Sequence, residues 1–388
     1  MIKRIISPYI KKAAKSFPII GILGPRQSGK TTLAKSIFPD YQYVNLELPQ
    51  MRHFAEEDPE KFLKQYSKYT IIDEAQRVPE LFSYLQVKTD EDKIKGQYVL
   101  TGSQHFLMLS SITQSLAGRI ALFNLYPLSY EELFKNNHKK LSVDHLIFQG
   151  GYPQLYAEKL DNNLWFNSYV QTYLERDVSQ LSQINNIPLF EKFIRLTAGR
   201  TGQLLNLSSL SADIGVSHNT VKAWIYLLQI SGLITLLQPY YANLNQRLIK
   251  TPKLYFNDTG LACHLLGINN IEQLDTHPLY GQLFETYIID EYLKYFTNHQ
   301  THSLMYFFRN RQGLEADILL DQGTKIFLSE IKSAHTIPSH PFNNLLKIKE
   351  LLNKPTELNL IYGGTENQKR TVGNIVSWEN LVDNLLSW

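Results

Sequence analysis

A glycine-bounded loop between an apolar run and a helix-like stretch is the feature that most constrains this chain. Residues 19–38 read IIGILGPRQSGKTTLAKSIF, so Gly24 is followed by four residues and then by Gly29, Lys30 and Thr31. This spacing is typical of a loop whose backbone N–H groups surround a polyphosphate, because glycine permits the tight turns that such a loop needs. Lys30 would reach the β- and γ-phosphates, Thr31 would offer its hydroxyl to Mg²⁺, and the helix opening at Thr31 would direct its positive end at the charge. The sequence therefore predicts a nucleoside triphosphate as the ligand.

Length and composition limit the classes of protein that fit. A chain of 388 residues exceeds what one hydrophobic core usually organises, so we expect two or three domains. The 39 basic and 36 acidic residues leave a net charge of +3, so a nucleic-acid-binding surface would have to be a local patch. The single cysteine, Cys263, excludes an intrachain disulfide and a cysteine-rich zinc site. Since no apolar run approaches the length that spans a bilayer, we expect a cytoplasmic protein without a membrane partner.

The order of apolar and helical runs divides the chain into four parts. Strand-like runs alternate with helical stretches from about residue 18 to 125, which predicts a parallel sheet with helices on both faces. The sequence then turns helical and aromatic, broken by GGYP, up to about residue 190. A helix-turn-helix pattern follows at residues 207–234, and the remainder mixes helices and strands. The boundaries that we predict are 1–135, 136–190, 191–250 and 251–388.

Two acidic residues end the strand-like run YTIIDEAQ. Asp73 in this position can hold Mg²⁺, and the adjacent Glu74 can orient or deprotonate an attacking water. The next run, YVLTGSQ, ends in Thr101, Ser103 and Gln104, which would either sense the γ-phosphate or form a simple turn at the strand end. Arg119, in SLAGRI, would neutralise transition-state charge in its own chain or on a neighbouring subunit, unless it forms a surface ion pair.

Together these motifs carry a resemblance to a known family. The chain resembles a widespread bacterial and archaeal family of AAA-superfamily ATPases. The segments that carry the resemblance are, in chain order, GPRQSGKTTL, IIDEAQRVPELF, YVLTGSQ, SLAGRIALFNLYPLSYEEL, GGYP and YLERDV. The resemblance implies a Walker A motif with Lys30 and Thr31, a Walker B motif with Asp73 and Glu74, a sensor position near Ser103, and Arg119 as the sensor or finger arginine. ATP would accordingly be bound by Gly24, Pro25, Arg26, Gln27, Ser28, Gly29, Lys30, Thr31, Thr32 and Ser103. Many AAA proteins carry asparagine where this chain has Ser103, which is in keeping with a weak or partner-stimulated ATPase.

The same family carries a C-terminal region that resembles the restriction-endonuclease-like, PD-(D/E)XK, fold. The matching residues here are Glu285, Asp317, Glu330 and Lys332. Glu330 and Lys332 are two apart and project from one face of a strand, and Asp317 would come from the neighbouring strand of a hairpin. Asp317 and Glu330 would hold Mg²⁺ against a phosphate, Lys332 would activate water, and Glu285 would complete the metal shell. The alternative is a charged strand pair in a domain without catalysis.

The helix-turn-helix has a predicted core and a predicted contact surface. Its core would consist of Leu210, Ile214, Val221, Trp224, Ile225 and Leu228, and the strands after it would supply a β-wing. Its second helix begins with His218, Asn219, Thr220 and Lys222, where DNA contacts would arise. Since only one of these residues is fully charged, a spacer or protein-binding role fits equally well.

These observations define one expected fold and two alternative functions. The fold class is α/β: an AAA-type parallel sheet with the phosphate-binding loop, a helical extension, a winged helix, and a C-terminal α/β nuclease-like domain. The expected function is Mg²⁺-dependent ATP hydrolysis coupled to DNA recognition or cleavage, in a chain that forms a homo-oligomer if Arg119 acts on a neighbour. The alternative is a nucleotide-regulated switch or DNA-binding regulator whose nuclease-like domain is inert.

Overall fold

A computed structural model describes residues 2–102, 116–135, 141–173, 186–240, 250–301 and 304–381. Ser103 and Gln104 lie outside these ranges, as do most of YLERDV and the turn predicted between the strands of the wing. Among the described residues, no helix is long and apolar enough to cross a membrane.

The N-terminal part of the chain is a five-stranded parallel sheet with helices on both faces. In chain order its elements are α1 (Ser7–Ala14), β1 (Ile19–Leu23), α2 (Lys30–Ile37), β2 (Gln42–Asn45), α3 (Pro49–Glu57), α4 (Pro59–Gln65), β3 (Thr70–Asp73), α5 (Leu81–Asp92), β4 (Tyr98–Gly102) and β5 (Ile120–Asn124). The strands lie in the order β2-β3-β4-β1-β5, and every neighbouring pair is parallel. Ile20 and Ile22 pack with α1 and α2, whereas Ile19 and Leu23 pack with α4 and α5. Burial on both faces explains the unbroken apolar runs and confirms the predicted parallel sheet.

A helical segment rich in aromatic residues follows β5. It contains α6 (Tyr130–Lys135), α7 (Val143–Gln149), α8 (Pro153–Ala157) and α9 (Asn162–Tyr173). Tyr152 lies at its centre, with its ring 4.8 Å from that of Trp165 and 5.0 Å from that of Tyr169. The GGYP stretch separates α7 from α8, because Gly150 has a φ of 69° and Pro153 opens the next helix.

The third part combines helices with a small antiparallel sheet. Its elements are α10 (Ile187–Ala198), β6 (Gln203–Leu204), α11 (Leu207–Ile214), α12 (His218–Ile230), β7 (Ile234–Leu237), β8 (Lys253–Phe256), α13 (Thr259–Leu265) and α14 (Ile271–Asp275). Gly215, with a φ of 84°, ends α11, and the Ser217 hydroxyl caps α12 by accepting from the amide of Thr220. The six predicted core residues of this helix pair are all buried. The strands lie in the order β6-β8-β7.

The C-terminal part is a mixed sheet between two helices. Its elements are α15 (Tyr280–Asn298), β9 (Leu304–Arg309), β10 (Glu315–Asp321), β11 (Ile326–Lys332), α16 (Asn343–Leu351), β12 (Thr356–Tyr362), β13 (Gln368–Lys369) and β14 (Asn374–Ser377). The sheet order is β13-β14-β12-β11-β10-β9, with β9, β10 and β11 antiparallel in turn and β12 parallel to β11. Phe327 and Ile331 pack into the core that contains α15, and Ile326 and Leu328 into the core that contains α16. This alternation places Glu330 and Lys332 on one face of β11, as predicted.

Candidate functional site

The phosphate-binding loop joins β1 to α2 at the carboxyl edge of the parallel sheet. Gly24 has a φ of 149°, and a Cβ there would collide with the carbonyl oxygen of Leu125. Gly29, with a φ of 93°, precedes the first residue of α2. Both glycines are therefore required by the backbone, and the loop opens directly onto the N-terminus of a helix, where N–H groups favour an anion.

Lys30 lies against the loop that it follows. Its ammonium donates to the carbonyl oxygens of Gly24 at 3.0 Å and of Pro25 at 2.7 Å, and the residue is buried. The remaining residues of the predicted loop differ in exposure. Gln27 has a left-handed φ of 58°, Ser28 is fully buried, and Thr32 on α2 is exposed. The sequence-predicted loop residues thus form one continuous segment around the N-terminus of α2.

Thr31 and Asp73 meet at this edge of the sheet. The Thr31 hydroxyl lies 3.0 Å and 3.2 Å from the two carboxylate oxygens of Asp73. Thr101, at the end of β4, also donates to this carboxylate. A hydroxyl and a carboxylate side by side are ligands suited to Mg²⁺, so these residues fit the metal that accompanies a nucleoside triphosphate. The described residues contain no group of three acidic, histidine or cysteine side chains that could hold a metal ion, so the phosphates would have to supply ligands too.

Tyr43 is a residue of this site that the sequence reasoning missed. Its hydroxyl donates to Asp73 at 2.7 Å, and the Lys35 ammonium lies 3.4 Å from the centre of its ring. Burial raises the pKa of Tyr43, and the hydrogen bond to Asp73 raises it further, so the hydroxyl stays a donor at neutral pH. The signal was available in the sequence, because Tyr43 lies in the second strand-like run, YVNLEL, beside the one that ends in Asp73.

Glu74 follows Asp73 in a left-handed conformation. Its φ is 55°, and its carboxylate accepts from the Gln76 side chain at 2.6 Å. A non-glycine residue in this region of φ is uncommon and occurs where the surrounding structure holds it. The conformation places the second acid of the pair outside the strand that carries the first.

Arg4 contacts the phosphate-binding loop, and the sequence analysis did not predict this contact. Its guanidinium donates to the carbonyl oxygens of Ser28 at 2.9 Å and Tyr126 at 2.6 Å, and to the carboxylate of Glu132 at 2.9 Å. Arg4 and Glu132 are both buried. The arginine therefore joins the phosphate-binding loop to the segment after β5.

The loop also borders the third part of the chain. A cavity of about 200 Å³ lies between its first residues and the turn after α12, lined among others by Pro25, Tyr126, Ser231 and Asn257. Arg26 donates to the carbonyl oxygen of Thr172 in α9 at 3.4 Å. The helical segment thus contacts the loop, and residues next to the small sheet line the cavity beside it.

Arg119 is not near the phosphate-binding loop of its own chain. It precedes β5, and its carbonyl oxygen accepts from the amide of Ile19, the first residue of β1. The loop leaves the opposite end of β1, about 16 Å away for five residues at roughly 3.3 Å each. The guanidinium instead pairs with Asp90 at 2.6 Å and 2.8 Å on the surface. The proposed role of Arg119 in its own chain is therefore wrong, because carboxyl and amino edges of a parallel sheet lie apart.

A second cluster of charged side chains lies in the C-terminal part. Lys253, from β8, places its ammonium 2.9 Å from Glu285, 2.6 Å from Glu315 and 3.5 Å from Asp317. Tyr255 donates to the same Glu285 oxygen at 2.6 Å. Burial and the neighbouring Asp317 raise the pKa of Glu285 to about 7, against the opposing effect of Lys253. Lys253, Tyr255 and Glu315 were all missed; the lysine and the tyrosine come from β8, a strand that pairs with β7 in the small sheet and not with the C-terminal sheet.

Glu330 and Lys332 pair with each other beside this cluster. Their charged groups are 2.7 Å apart, and Lys332 is half exposed whereas Glu330 is not. Asp317 accepts from the backbone amide of Ile331 at 2.8 Å, which ties β10 to β11. Burial lowers the pKa of Lys332, but Glu330, Asp317 and Glu285 outweigh it, so the pKa is raised. The structure thus brings the four predicted residues into one neighbourhood.

The predicted three-acid metal shell is not formed there. Within the described ranges no three acids are spaced to hold a metal ion, and the Lys253 ammonium already contacts Glu285 and Asp317. These residues do not fit a divalent cation in this arrangement, because a metal needs carboxylate oxygens that the ammonium occupies.

The middle of α15 carries a further buried ionic group. Lys294 pairs with Asp290 at 2.7 Å and with Glu291 at 3.5 Å, and donates to the carbonyl oxygen of Leu128 at 3.1 Å. Burial raises the pKa of Asp290 to about 8, against the opposing effect of Lys294. Asp258 nearby caps α13 and accepts from the amide of Gly151 at 2.7 Å. This group joins the GGYP break to α15.

Comparison with family models divides the chain into three matched segments. Residues 16–134 match the family described as AAA domain. The match supports a nucleotide-binding ATPase domain in this part of the chain. Residues 140–272 match a domain of unknown function (DUF8612), and residues 280–381 match another (DUF4143).

Relatives among known proteins are similar over most of the chain. An uncharacterized protein of Mycobacterium tuberculosis is 28% identical over 84% of this chain and 73% of its own length. An uncharacterized protein of Haemophilus influenzae is 24% identical over 92% of this chain and 93% of its own length. Among solved structures, a Walker-type ATPase of Pyrococcus abyssi gives a TM-score of 0.43 at 14% identity, over 67% of this chain and 94% of that one. AMPPCP-bound DnaA from Aquifex aeolicus gives a TM-score of 0.29 at 15% identity, over 57% and 86%.

Proposed function

We propose that the protein is an Mg²⁺-dependent ATPase whose hydrolysis is coupled to DNA recognition by its C-terminal half. The observation that carries the proposal is the contact between Thr31 and Asp73 beside the phosphate-binding loop. Lys30 binds the β- and γ-phosphates, and Thr31 and Asp73 hold the metal. Mg²⁺, when bound, neutralises charge that develops on the phosphates. Glu74 orients the attacking water, and the residues from Gly24 to Thr32 surround the polyphosphate.

The case for DNA as the partner rests on two features. The antiparallel sheet β6-β8-β7, in which β6 precedes the helix pair and β7 and β8 follow it, supports the predicted winged helix, and His218, Asn219 and Lys222 are exposed at the start of α12. The element order α15, β9, β10, β11, α16, β12 supports the resemblance of the C-terminal part to the restriction-endonuclease-like fold. A chain that hydrolyses ATP beside such modules would recognise duplex or single-stranded DNA.

A second candidate is a nucleotide-regulated switch or DNA-binding regulator whose nuclease-like domain is inert. The Lys253 ammonium among the carboxylates favours this alternative, because a nuclease of this fold needs those oxygens for a metal. If Arg119 takes part in hydrolysis, it acts on a neighbouring subunit of a homo-oligomer; the alternative is that it serves only its surface ion pair with Asp90.

Incubation of the purified protein with plasmid and single-stranded DNA tests the two candidates. The reactions contain Mg²⁺ or Mn²⁺, with and without ATP, beside Lys30→Ala and Lys332→Ala variants. Binding that depends on ATP, with cleavage lost in Lys332→Ala, would establish a nuclease. ATP hydrolysis that DNA stimulates, without cleavage, would support the coupled ATPase, whereas DNA binding that leaves ATP turnover unchanged would favour the regulator. Normal ATP hydrolysis by Lys30→Ala would contradict the assignment of the ATP site.

A further inference from the structure

The acidic cluster of the C-terminal sheet contains a cation from another part of the chain. Lys253 is the first residue of β8, whereas Glu285 lies on α15 and Glu315 and Asp317 on β10. Its ammonium approaches the three carboxylates at 2.9 Å, 2.6 Å and 3.5 Å. An ammonium has three donors and no acceptor, so three carboxylates can satisfy it completely. The three N–H donors of one ammonium thus face three carboxylate acceptors.

The lysine is held where water cannot replace the carboxylates. The Lys253 side chain is 4% exposed, and Glu285 and Asp317 are 16% and 14% exposed. Burial by itself would lower the pKa of Lys253, but Glu285, Asp317 and Glu315 outweigh it and raise the pKa above the usual value. The side chain therefore stays charged at neutral pH.

The cluster is close to electrical balance without a metal. Arg309 pairs with Glu315 at 2.9 Å from the other side, so two basic groups face three carboxylates. A divalent cation would add two positive charges beside the ammonium, which the few remaining negative charges could not compensate.

We infer that Lys253 is the resident cation of this cluster. It occupies the position that a divalent metal would need, and it makes the cluster an ion-pair joint between β8 and the C-terminal sheet. The carboxylates of Glu285, Glu315 and Asp317 therefore stabilise the contact between two parts of the chain and do not bind Mg²⁺ or Mn²⁺ while the lysine is present. The inference rests on these side chains and stands whether or not the proposed ATPase and DNA functions hold.

Mn²⁺ binding to the full chain, followed by electron paramagnetic resonance of the free ion, tests this inference. The proteins are the wild type, Lys253→Met, Lys253→Met combined with Asp317→Asn, and Asp317→Asn alone. The phosphate-binding loop is identical in all four, so any difference in bound Mn²⁺ arises at the cluster. We expect the wild type and Asp317→Asn to bind Mn²⁺ equally, Lys253→Met to bind one more ion per chain, and the double variant to lose that ion.

Two outcomes would overturn the inference. One is Mn²⁺ bound by the wild type and lost in Asp317→Asn, since the metal would then occupy the cluster together with the lysine. The other is a folded Lys253→Met that gains no ion, because the lysine would then not be what excludes the metal. If Lys253→Met does not fold, loss of a bound ion in Asp317→Asn relative to the wild type would still overturn the inference. Lys325→Met is the matched control, since Lys325 pairs with Glu357 at 2.6 Å on the same sheet and its loss should leave Mn²⁺ binding unchanged.

Discussion

The hydroxyl of Thr31 and the carboxylate of Asp73 lie 3.0 Å apart, although 42 residues separate them in the chain. They meet because the loop after β1 and the end of β3 both lie at the carboxyl edge of one parallel sheet, with β4 between the two strands. The side chain of Thr101 at the end of β4 completes the contact. This edge is where open parallel sheets bind ligands.

Lys30→Ala should abolish ATP turnover. The ammonium of the motif lysine contacts the β- and γ-phosphates, and loss of a charge-stabilising donor typically costs about 10²–10³ in rate. The measurement is phosphate release by the purified variant, with nucleotide binding measured in parallel. Lys64→Ala, at an exposed lysine of α4, is the control and should keep wild-type turnover.

Tyr43→Phe should weaken the response to Mg²⁺ without removing activity. The substitution deletes the donor that lies 2.7 Å from Asp73, and a hydrogen bond to a charged group contributes about 1.5–3 kcal/mol. We expect a higher Mg²⁺ concentration for half-maximal turnover, with a smaller change in kcat. An unchanged Mg²⁺ dependence would show that the hydroxyl does not position Asp73. Tyr84→Phe, at an exposed residue of α5, serves as the comparison.

Arg4→Met should lower the free energy of unfolding. The change leaves Glu132 buried without its guanidinium partner, and breaking a buried ion pair from one side costs about 3–5 kcal/mol. Urea unfolding of the variant should therefore show a lower midpoint than the wild type. Arg370→Met, at an exposed arginine, should leave the midpoint where it is. A stable Arg4→Met would mean that the loop is held by its other contacts.

Arg119→Ala tests the action of this arginine on a neighbouring subunit. Alone, the variant should lose ATP turnover if the arginine completes the site of a neighbour. Mixed with Lys30→Ala, which keeps Arg119 but has a defective loop, it should regain part of the turnover, because mixed oligomers contain one intact site. Wild-type turnover by Arg119→Ala would leave the arginine with its surface pair to Asp90 and no role in hydrolysis.

Asp290→Asn should flatten the dependence of stability on pH. Burial raises the pKa of Asp290 from 3.8 to about 8, so the folded protein keeps a proton that the unfolded chain releases. The contribution of this proton to the free energy of unfolding is therefore fully present below about pH 4. It is lost as the pH rises towards 8, by an amount on the order of a few kcal/mol. Asparagine removes this contribution, while Lys294, Glu291 and Asp258 remain. Urea unfolding of both proteins across this range measures the difference, and parallel curves would contradict the prediction.

Contiguous residues could be assigned from the sequence because their geometry is local. Gly24 and Gly29 adopt values of φ that glycine favours, and Lys30 opens a helix, all within seven positions. The alternation in β11 likewise predicted that Glu330 and Lys332 share a face. The sequence could also have excluded a role for Arg119 at the loop of its own chain. Arg119 precedes a strand of the parallel sheet, whereas the loop follows a strand, and these two positions lie at opposite edges of the sheet.

Contacts between distant segments could not be assigned in this way. Arg4 reaches Ser28 and Glu132 from the N-terminus, and nothing in the spacing of these residues predicts their approach. Lys253 belongs to a strand that pairs with β7, yet its charge lies among acids of another sheet. The sequence by itself determined the nucleotide-binding loop and the shared face of Glu330 and Lys332 on β11. Both depend only on local backbone geometry and on the alternation of side chains along a strand. Only the tertiary structure decided that Lys253 of β8 lies among the C-terminal acids, because the electrostatics of a buried cluster depend on which charges the packed chain brings together.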